Sequence, residues 1–186
     1  MGKLIMVTGG ARSGKSSHAE ELAKACGSDV LYIATSVVTD SEMEQRVKKH
    51  REQRPSWWET LEAYKDFDIC LQKKVENKSA VLLDCITVMT TNLMLEKLSD
   101  INNISPESSI EAENYVRHEL DKLINAAMDI GIPFIFVTNE VGMGIVPEYP
   151  LSRIFRDIAG RGNQTLSKAA DEVYFCVSGI PVKIKG

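Results

Sequence analysis

The chain lacks the features that mark several large classes of protein. It has no C-x-x-C pair and no cysteine–histidine combination at zinc spacing, which argues against a disulfide framework or a structural zinc site. No apolar run approaches the ~20 residues of a membrane span. We expect the four cysteines to be free and mostly buried thiols of a reducing cytoplasm: Cys26, Cys70, Cys85 and Cys176.

Neither charge nor the N-terminal residues point to nucleic acid, a membrane or export. The 22 Lys and Arg against 26 Asp and Glu give a formal charge of −4, which provides no basic coat for nucleic acid. Met1-Gly2-Lys3 precedes only a handful of apolar residues, so no signal peptide is expected. We therefore expect a cytoplasmic protein that neither binds nucleic acid nor inserts into a membrane.

Strand-like and helix-like segments alternate along the 186 residues, a length that suits a single domain, 1–186. Continuous apolar runs predict strands at 3–8, 30–34, 57–61, 80–83 and 133–137, and a terminal hairpin at 174–177 and 181–184. Helices are predicted at 16–26, 41–53, 64–74, from after 84 through 98, at 106–130 and at 152–170. This alternation predicts an α/β fold with a mostly parallel sheet flanked by helices and a C-terminal β-hairpin.

A glycine-rich segment follows the first predicted strand and fits the pattern G-x-x-x-x-G-K-[ST] at every fixed position. Backbone N–H groups and the positive end of the next helix can hold phosphates there. Lys15 would reach the β- and γ-phosphates, and the Ser16 hydroxyl would hold Mg²⁺. The alternative is a strand–helix turn with an incidental lysine. The segment comprises Gly9, Gly10, Ala11, Arg12, Ser13, Gly14, Lys15 and Ser16.

Three further polar segments follow predicted strands, where parallel sheets bind ligands. Asp84 suits a second anchor for Mg²⁺, or a helix N-cap. The hydroxyls of Thr35 and Ser36 suit phosphate or ribose, or a capped turn. Residues 139–144 carry two glycines and a carboxylate, which suits a loop that closes over substrate, or an ordinary connection.

His50 lies among basic residues near the end of the predicted helix 41–53. Taken alone, the sequence favours a solvated surface histidine. The alternative is a nucleophile, because a neutral imidazole can attack the α-phosphorus of a nucleotide and hold the nucleotidyl group. His18 and His118 are interpreted as surface or packing residues.

Together these residues resemble the family of bifunctional adenosylcobinamide kinase/adenosylcobinamide-phosphate guanylyltransferases of cobalamin biosynthesis. The matching segments run in order from about residue 4 to residue 185. The phosphate-loop pattern alone is generic, whereas the run Val137-Thr138-Asn139-Glu140-Val141-Gly142-Met143-Gly144-Ile145-Val146-Pro147 is far more specific. The resemblance implies a fold of the P-loop NTPase (RecA-like) type.

The resemblance also implies the chemistry. Such an enzyme phosphorylates adenosylcobinamide with ATP or GTP, then transfers GMP from GTP through a guanylylated histidine, giving adenosyl-GDP-cobinamide and pyrophosphate. It assigns that histidine to His50, a catalytic role to Lys15 and Mg²⁺ as cofactor, and it implies a homo-oligomer, with a trimer as the expected state. The implied nucleotide contacts beyond the glycine-rich segment are Ala34, Thr35, Ser36, Arg51, Glu52, Gln53, Arg54, Glu62 and Asp84.

Two other hypotheses fit the residues. The first is a phosphate-loop kinase for a different small alcohol, with His50 a surface residue. The second is a regulatory nucleotide-binding switch with no acceptor substrate. The first predicts γ-phosphate transfer without a covalent nucleotide, and the second predicts slow hydrolysis with nucleotide-dependent capture of a partner.

Overall fold

The computed structural model describes residues 2–37, 55–101 and 103–186. The helix expected at 41–53, together with His50 and residues 51–54, lies outside the described residues.

The described residues form seven strands and five helices in an alternating order. The strands are β1 (Leu4–Gly9), β2 (Val30–Ala34), β3 (Glu59–Glu62), β4 (Ala80–Asp84), β5 (Phe134–Asn139), β6 (Glu172–Val177) and β7 (Ile180–Lys185). The helices are α1 (Lys15–Cys26), α2 (Phe67–Cys70), α3 (Ile86–Lys97), α4 (Pro106–Asp129) and α5 (Pro150–Ala169).

All seven strands belong to one sheet, in the order β3-β2-β4-β5-β1-β6-β7. Every neighbouring pair is parallel except the terminal hairpin β6–β7. One strand, β5, separates β1 from β4, so Asp84 at the end of β4 and Gly9 at the end of β1 reach the same edge of the sheet. The predicted α/β fold with a C-terminal hairpin is confirmed.

Apolar side chains on the two faces of the sheet build two buried layers. Along β5, Phe134 and Phe136 face the layer that contains α3, α4 and α5, whereas Ile135 and Val137 face the layer that contains α1. Burial on both faces explains why these strands are continuously apolar and not alternating. The residues of α4 that enter the first layer recur every three or four positions, as expected of an amphipathic helix: Ala112, Val116, Leu120, Leu123 and Ala127.

Helix α4 begins where its sequence predicts. The Ser105 hydroxyl accepts a hydrogen bond from the Ser108 backbone N–H at 3.1 Å, which satisfies one of the free donors of the first turn. Pro106 occupies the start of the helix, where its missing N–H costs nothing. The prediction of a long helix from residue 106 is therefore confirmed to within one residue at its end.

The strand predicted at 57–61 starts late. Trp57 and Trp58 lie in a turn closed by the Trp58 N–H, which donates to the Pro55 carbonyl at 3.1 Å, and β3 begins at Glu59. Of the two rings in this turn, Trp58 is buried and Trp57 is exposed.

The helix predicted at 64–74 is wrong in length. Asp66 has a left-handed backbone conformation with φ +56°, which prevents a helix from running through it. Its N–H donates at 2.9 Å to the Glu119 carboxylate on α4, a tertiary contact that holds this conformation. Only the single turn of α2 remains, held by the buried Phe67 side chain.

The four cysteines are free thiols, as predicted, but only half of them are buried. Cys85 directly after β4 and Cys176 within β6 are buried, whereas Cys26 at the end of α1 is exposed and Cys70 is half-buried. No helix among the described residues is long and apolar enough to cross a membrane.

Candidate nucleotide-binding site

The glycine-rich segment forms a tight loop between β1 and the first turn of α1. A Cβ atom at Gly9 would lie 2.5 Å from the Cys176 carbonyl oxygen, and one at Gly14 would lie 2.9 Å from the Gly179 Cα. Gly14 also has φ +90°, a conformation that other residues rarely adopt. Glycine is therefore required at both positions by close backbone approach.

The loop presents donors that suit an anion. Gly14 occupies the N-cap of α1 and supplies no side-chain acceptor to the first N–H groups of the helix. The Lys15 ammonium donates to the Gly10 carbonyl at 3.0 Å, which leaves two of its three N–H donors for another acceptor. The buried Ser13 hydroxyl has no protein partner among the described residues. A phosphate chain would satisfy these donors, so the loop fits its predicted ligand.

The charges of Lys15 and Asp84 both affect the pKa of one buried thiol, that of Cys85. Burial raises the pKa of Cys85 to about 11; the Asp84 charge also raises it and the Lys15 charge lowers it. Asp84 is half-buried at the end of β4. An ammonium and a carboxylate at one sheet edge, beside the loop, form the arrangement expected of a phosphate-loop site.

A cleft of about 430 Å³ lies at the carboxyl ends of β2 and β3. It contains three of the predicted nucleotide contacts: Ala34, Ser36 and Glu62. The strands are joined beyond their ends by the Ala63 N–H, which donates to the Ala34 carbonyl at 3.1 Å. The complete lining is Ala34, Ser36, Val37, Glu62, Ala63, Tyr64 and Lys65.

One carboxylate holds the outer wall of this cleft. Glu96 of α3 accepts hydrogen bonds from the Tyr64 hydroxyl at 2.7 Å, from the Lys65 ammonium at 2.8 Å and from the Tyr115 hydroxyl at 3.1 Å. The hydrogen bond to Glu96 raises the pKa of Tyr64 and of Lys65 above their ordinary values. The wall is therefore positioned by α3 and α4, which lie far from it in sequence.

Thr35 joins two strands and does not present its hydroxyl to the cleft. Its Oγ1 donates to the Cys85 carbonyl at 2.8 Å and accepts from the Cys85 N–H at 3.0 Å, and its side chain is buried. Asn92 of α3 donates to the Thr35 carbonyl at 2.8 Å. Thr35 thus fixes the end of β2 against the end of β4, and of the two expected hydroxyls only that of Ser36 lines the cleft.

A partly buried polar network fixes the end of β5 beside the glycine-rich loop. The Asn139 N–H donates to the Thr87 hydroxyl at 2.7 Å, and the Asn139 carbonyl accepts from Asn163 of α5 at 3.0 Å. Asn163 also accepts from the Thr138 hydroxyl at 2.7 Å. The next residue, Glu140, donates its N–H to the Gly9 carbonyl at 3.1 Å. The network therefore extends from α3 and α5 to the first residue of the loop.

The segment after β5 is held at both ends and exposes apolar side chains between them. Near its start, the Glu140 carboxylate accepts from the Met143 N–H at 3.2 Å. Near its end, Arg153 of α5 donates to the Pro147 carbonyl at 3.1 Å. Ile145 between these contacts is 94% exposed. The role of this segment as a loop that closes over substrate stays a prediction.

The structure brings the glycine-rich loop and Asp84 to one edge, with the cleft at the end of β2 and β3 on the same edge. His18 packs on Tyr174, with ring centroids 4.9 Å apart, in line with its predicted packing role. Sequence reasoning missed Glu96 and Asn163. A polar residue on the inner side of the amphipathic helix α5 is the one signal that could have identified Asn163.

The parallel sheet, the strand order and the glycine-rich loop define a phosphate-loop protein of the nucleotide-binding class. The family model described as cobinamide kinase / cobinamide phosphate guanyltransferase matches residues 5–184. The chain belongs to this family.

Curated relatives agree with that membership over nearly their whole length. The chain is 48% identical over 183 residues to the bifunctional adenosylcobalamin biosynthesis protein CobU of Escherichia coli, covering 98% of this chain and 99% of the relative. It is 48% identical over 182 residues to CobU of Salmonella typhimurium, with the same coverage. It is 35% identical over 181 residues to the bifunctional adenosylcobalamin biosynthesis protein CobP of Pseudomonas aeruginosa, covering 97% of this chain and 96% of the relative.

Proposed function

We propose that this protein is a bifunctional transferase that phosphorylates adenosylcobinamide and then attaches GMP to the new phosphate, as a cytoplasmic enzyme of cobalamin biosynthesis. The observation that carries the proposal is the glycine-rich loop with Lys15 and Asp84 at one sheet edge, in a chain of the cobinamide kinase/guanyltransferase family. The free thiols suit the reducing cytoplasm.

In the kinase step, the loop and Lys15 hold the triphosphate of ATP or GTP. The aminopropanol hydroxyl of adenosylcobinamide attacks the γ-phosphorus, a new P–O bond forms, and the bond to the β-phosphate oxygen breaks. The hydroxyl proton leaves to solvent or a nearby base, and the nucleoside diphosphate is released. The Lys15 ammonium and the loop N–H groups stabilise charge on the transferring group.

In the guanylyltransferase step, a neutral His50 nitrogen attacks the α-phosphorus of GTP and pyrophosphate leaves. The resulting P–N bond holds GMP until an oxygen of cobinamide phosphate attacks the same phosphorus. That attack forms the P–O bond of adenosyl-GDP-cobinamide and regenerates His50. We assign Ala34, Thr35, Ser36, Glu62 and the segment 51–54 to nucleotide binding in this step, with Thr35 holding the end of β2 in place.

The residues at the loop also fit Mg²⁺. Ser16 and Asp84 offer a hydroxyl and a carboxylate oxygen, the donor chemistry that Mg²⁺ prefers alongside phosphate oxygens and water. When bound, the ion would neutralise phosphate charge. The buried Ser13 hydroxyl has no partner within the described part of the chain, so this site has polar capacity left for a ligand.

Replacing Asp84 tests this metal assignment. Asp84→Asn is expected to raise the Mg²⁺ concentration for half-maximal activity by about tenfold, because a neutral amide binds the ion more weakly. The measurement is kinase activity across a Mg²⁺ titration. Asp129→Asn, at an exposed carboxylate that ends α4, is the matched control and should follow the wild type. An unchanged Mg²⁺ dependence in Asp84→Asn would remove the metal role.

The covalent step is tested with GTP labelled separately at the α- and γ-phosphorus. Each is incubated with the protein and Mg²⁺, and the denatured chain is assayed for acid-labile label. The wild type should retain α-label and no γ-label, because only GMP is held on the imidazole. His50→Ala should lose the label while still binding nucleotide.

His118→Ala provides the matched control for that experiment, since His118 is an exposed histidine on α4. It should retain the α-label at the wild-type level. Full guanylyltransferase activity in His50→Ala would contradict the assignment of His50 as the nucleophile. GTP binding without any retained label in the wild type would leave a plain kinase or a nucleotide switch as the better account.

The proposed enzyme acts as a homo-oligomer, with a trimer as the expected state. Sedimentation equilibrium checks this directly: a mass near three times the 20.7 kDa of one chain is expected, and the mass of a single chain would contradict it.

A further inference from the structure

The turn between β6 and β7 lies directly against the glycine-rich loop. The Gly179 N–H donates to the Ser13 carbonyl at 2.9 Å. The Gly179 Cα lies only 2.9 Å from the position that a Cβ atom on Gly14 would take. Three residues earlier, on β6, the Cys176 carbonyl oxygen lies 2.5 Å from the position that a Cβ atom on Gly9 would take. The hairpin therefore contacts the beginning and the end of the loop.

The turn has a conformation that only a few residues can adopt. Val177 pairs with Ile180, and the two residues between them have φ +51° at Ser178 and φ +84° at Gly179. Positive φ at both central positions is the mark of the two-residue type I′ hairpin, whose twist matches the flanking strands. The direction of the Gly179 N–H toward Ser13 therefore depends on this backbone conformation.

The open end of the hairpin is fixed independently. The Glu172 carboxylate on β6 pairs with Lys3 at 2.7 Å and with Lys183 of β7. Lys185 at the end of β7 donates to the Ser167 carbonyl at 2.8 Å, at the end of α5. Because the hairpin is anchored at this end and pairs with β1 along β6, its turn cannot move away from the loop without breaking these contacts.

We propose that Gly179 is a positioning residue for nucleotide binding: the hairpin turn sets the path of the loop from Ser13 to Gly14. The inference rests on the proposed role of the loop in holding phosphates. Backbone N–H groups bind phosphate well only where they converge, so a small displacement of the loop weakens several hydrogen bonds together. The C-terminal hairpin is thus a part of the nucleotide site that the phosphate-loop motif does not include.

Alanine at Gly179 changes the turn without adding a clash, since a Cβ there meets nothing within 4 Å. Its effect comes from the unfavourable φ of +84° alone. The chain provides a matched control in Gly131, which is also exposed, has φ +73° and has nothing within 4 Å of its ideal Cβ. Gly131 precedes β5 and lies at the opposite edge of the sheet from the loop.

The test measures Mg·GTP binding by titration calorimetry and thermal unfolding for the wild type, Gly179→Ala and Gly131→Ala. Both variants should lower the melting temperature to a similar extent, because each places a side chain at positive φ. Only Gly179→Ala should weaken Mg·GTP binding, by about tenfold or more. Gly179→Asn should recover most of the affinity, because asparagine tolerates the left-handed conformation.

Three outcomes overturn the inference, and they are distinguishable. Binding by Gly179→Ala within about twofold of the wild type contradicts the positioning role alone. Equal weakening in both alanine variants assigns the effect to lost stability and contradicts it as well. A wild type that does not bind Mg·GTP overturns the proposed function and the inference with it.

Discussion

The structure depends on the close approach of two neighbouring strands to the glycine-rich loop. On one side, the chain leaving β5 donates the Glu140 N–H to the Gly9 carbonyl. On the other side, the hairpin after β6 donates the Gly179 N–H to the Ser13 carbonyl. The hairpin side also leaves no room for side chains in the loop, because the Cys176 carbonyl would meet a Cβ atom at Gly9 and the Gly179 backbone would meet one at Gly14. The same contacts therefore hold the loop and this edge of the sheet, because each of them is made by the chain as it leaves a strand.

The buried polar groups around the loop follow from the same constraint. Strand ends leave backbone donors and acceptors without sheet partners, and burying them unpaired is costly. Side chains from distant helices supply the partners: Thr87 and Asn163 at the end of β5, and Asn92 at the end of β2. The cleft is built in the same manner, with Glu96 of α3 holding the chain that leaves β3. A rigid edge results, on which a nucleotide can be held in a fixed position.

The sequence predicts most of the fold because its strands are buried on both faces. β2 has the bounds expected from its apolar run, and α4 begins at Pro106 as its cap predicts. The prediction fails between 64 and 74, where the left-handed Asp66 and its contact with Glu119 override a helix-like pattern. That contact joins residues 53 positions apart, and local propensity contains no information about it.

The site, like the fold, is predictable from the sequence in its local parts and not in its long-range contacts. The glycine-rich loop is predictable because its chemistry is local, with the glycines, lysine and serine contiguous in the chain. The contacts that position it are long-range, since Gly179 meets Ser13 and Asn163 meets Asn139 only after the sheet has formed. Ser178-Gly179 is predictable as a turn, but its place against the loop follows from the pairing of β6 with β1. Thr35 is the opposite case. The sequence places its hydroxyl against a ligand, whereas in the structure that hydroxyl joins the ends of two strands.

A crystal structure with Mg²⁺ and a non-hydrolysable GTP analogue tests the central claim most directly. The account predicts that the phosphates lie within hydrogen-bonding distance of the backbone N–H groups between Arg12 and Ser16 and of the Lys15 ammonium. Phosphates bound elsewhere on the protein, with the loop N–H groups facing only water, would contradict it.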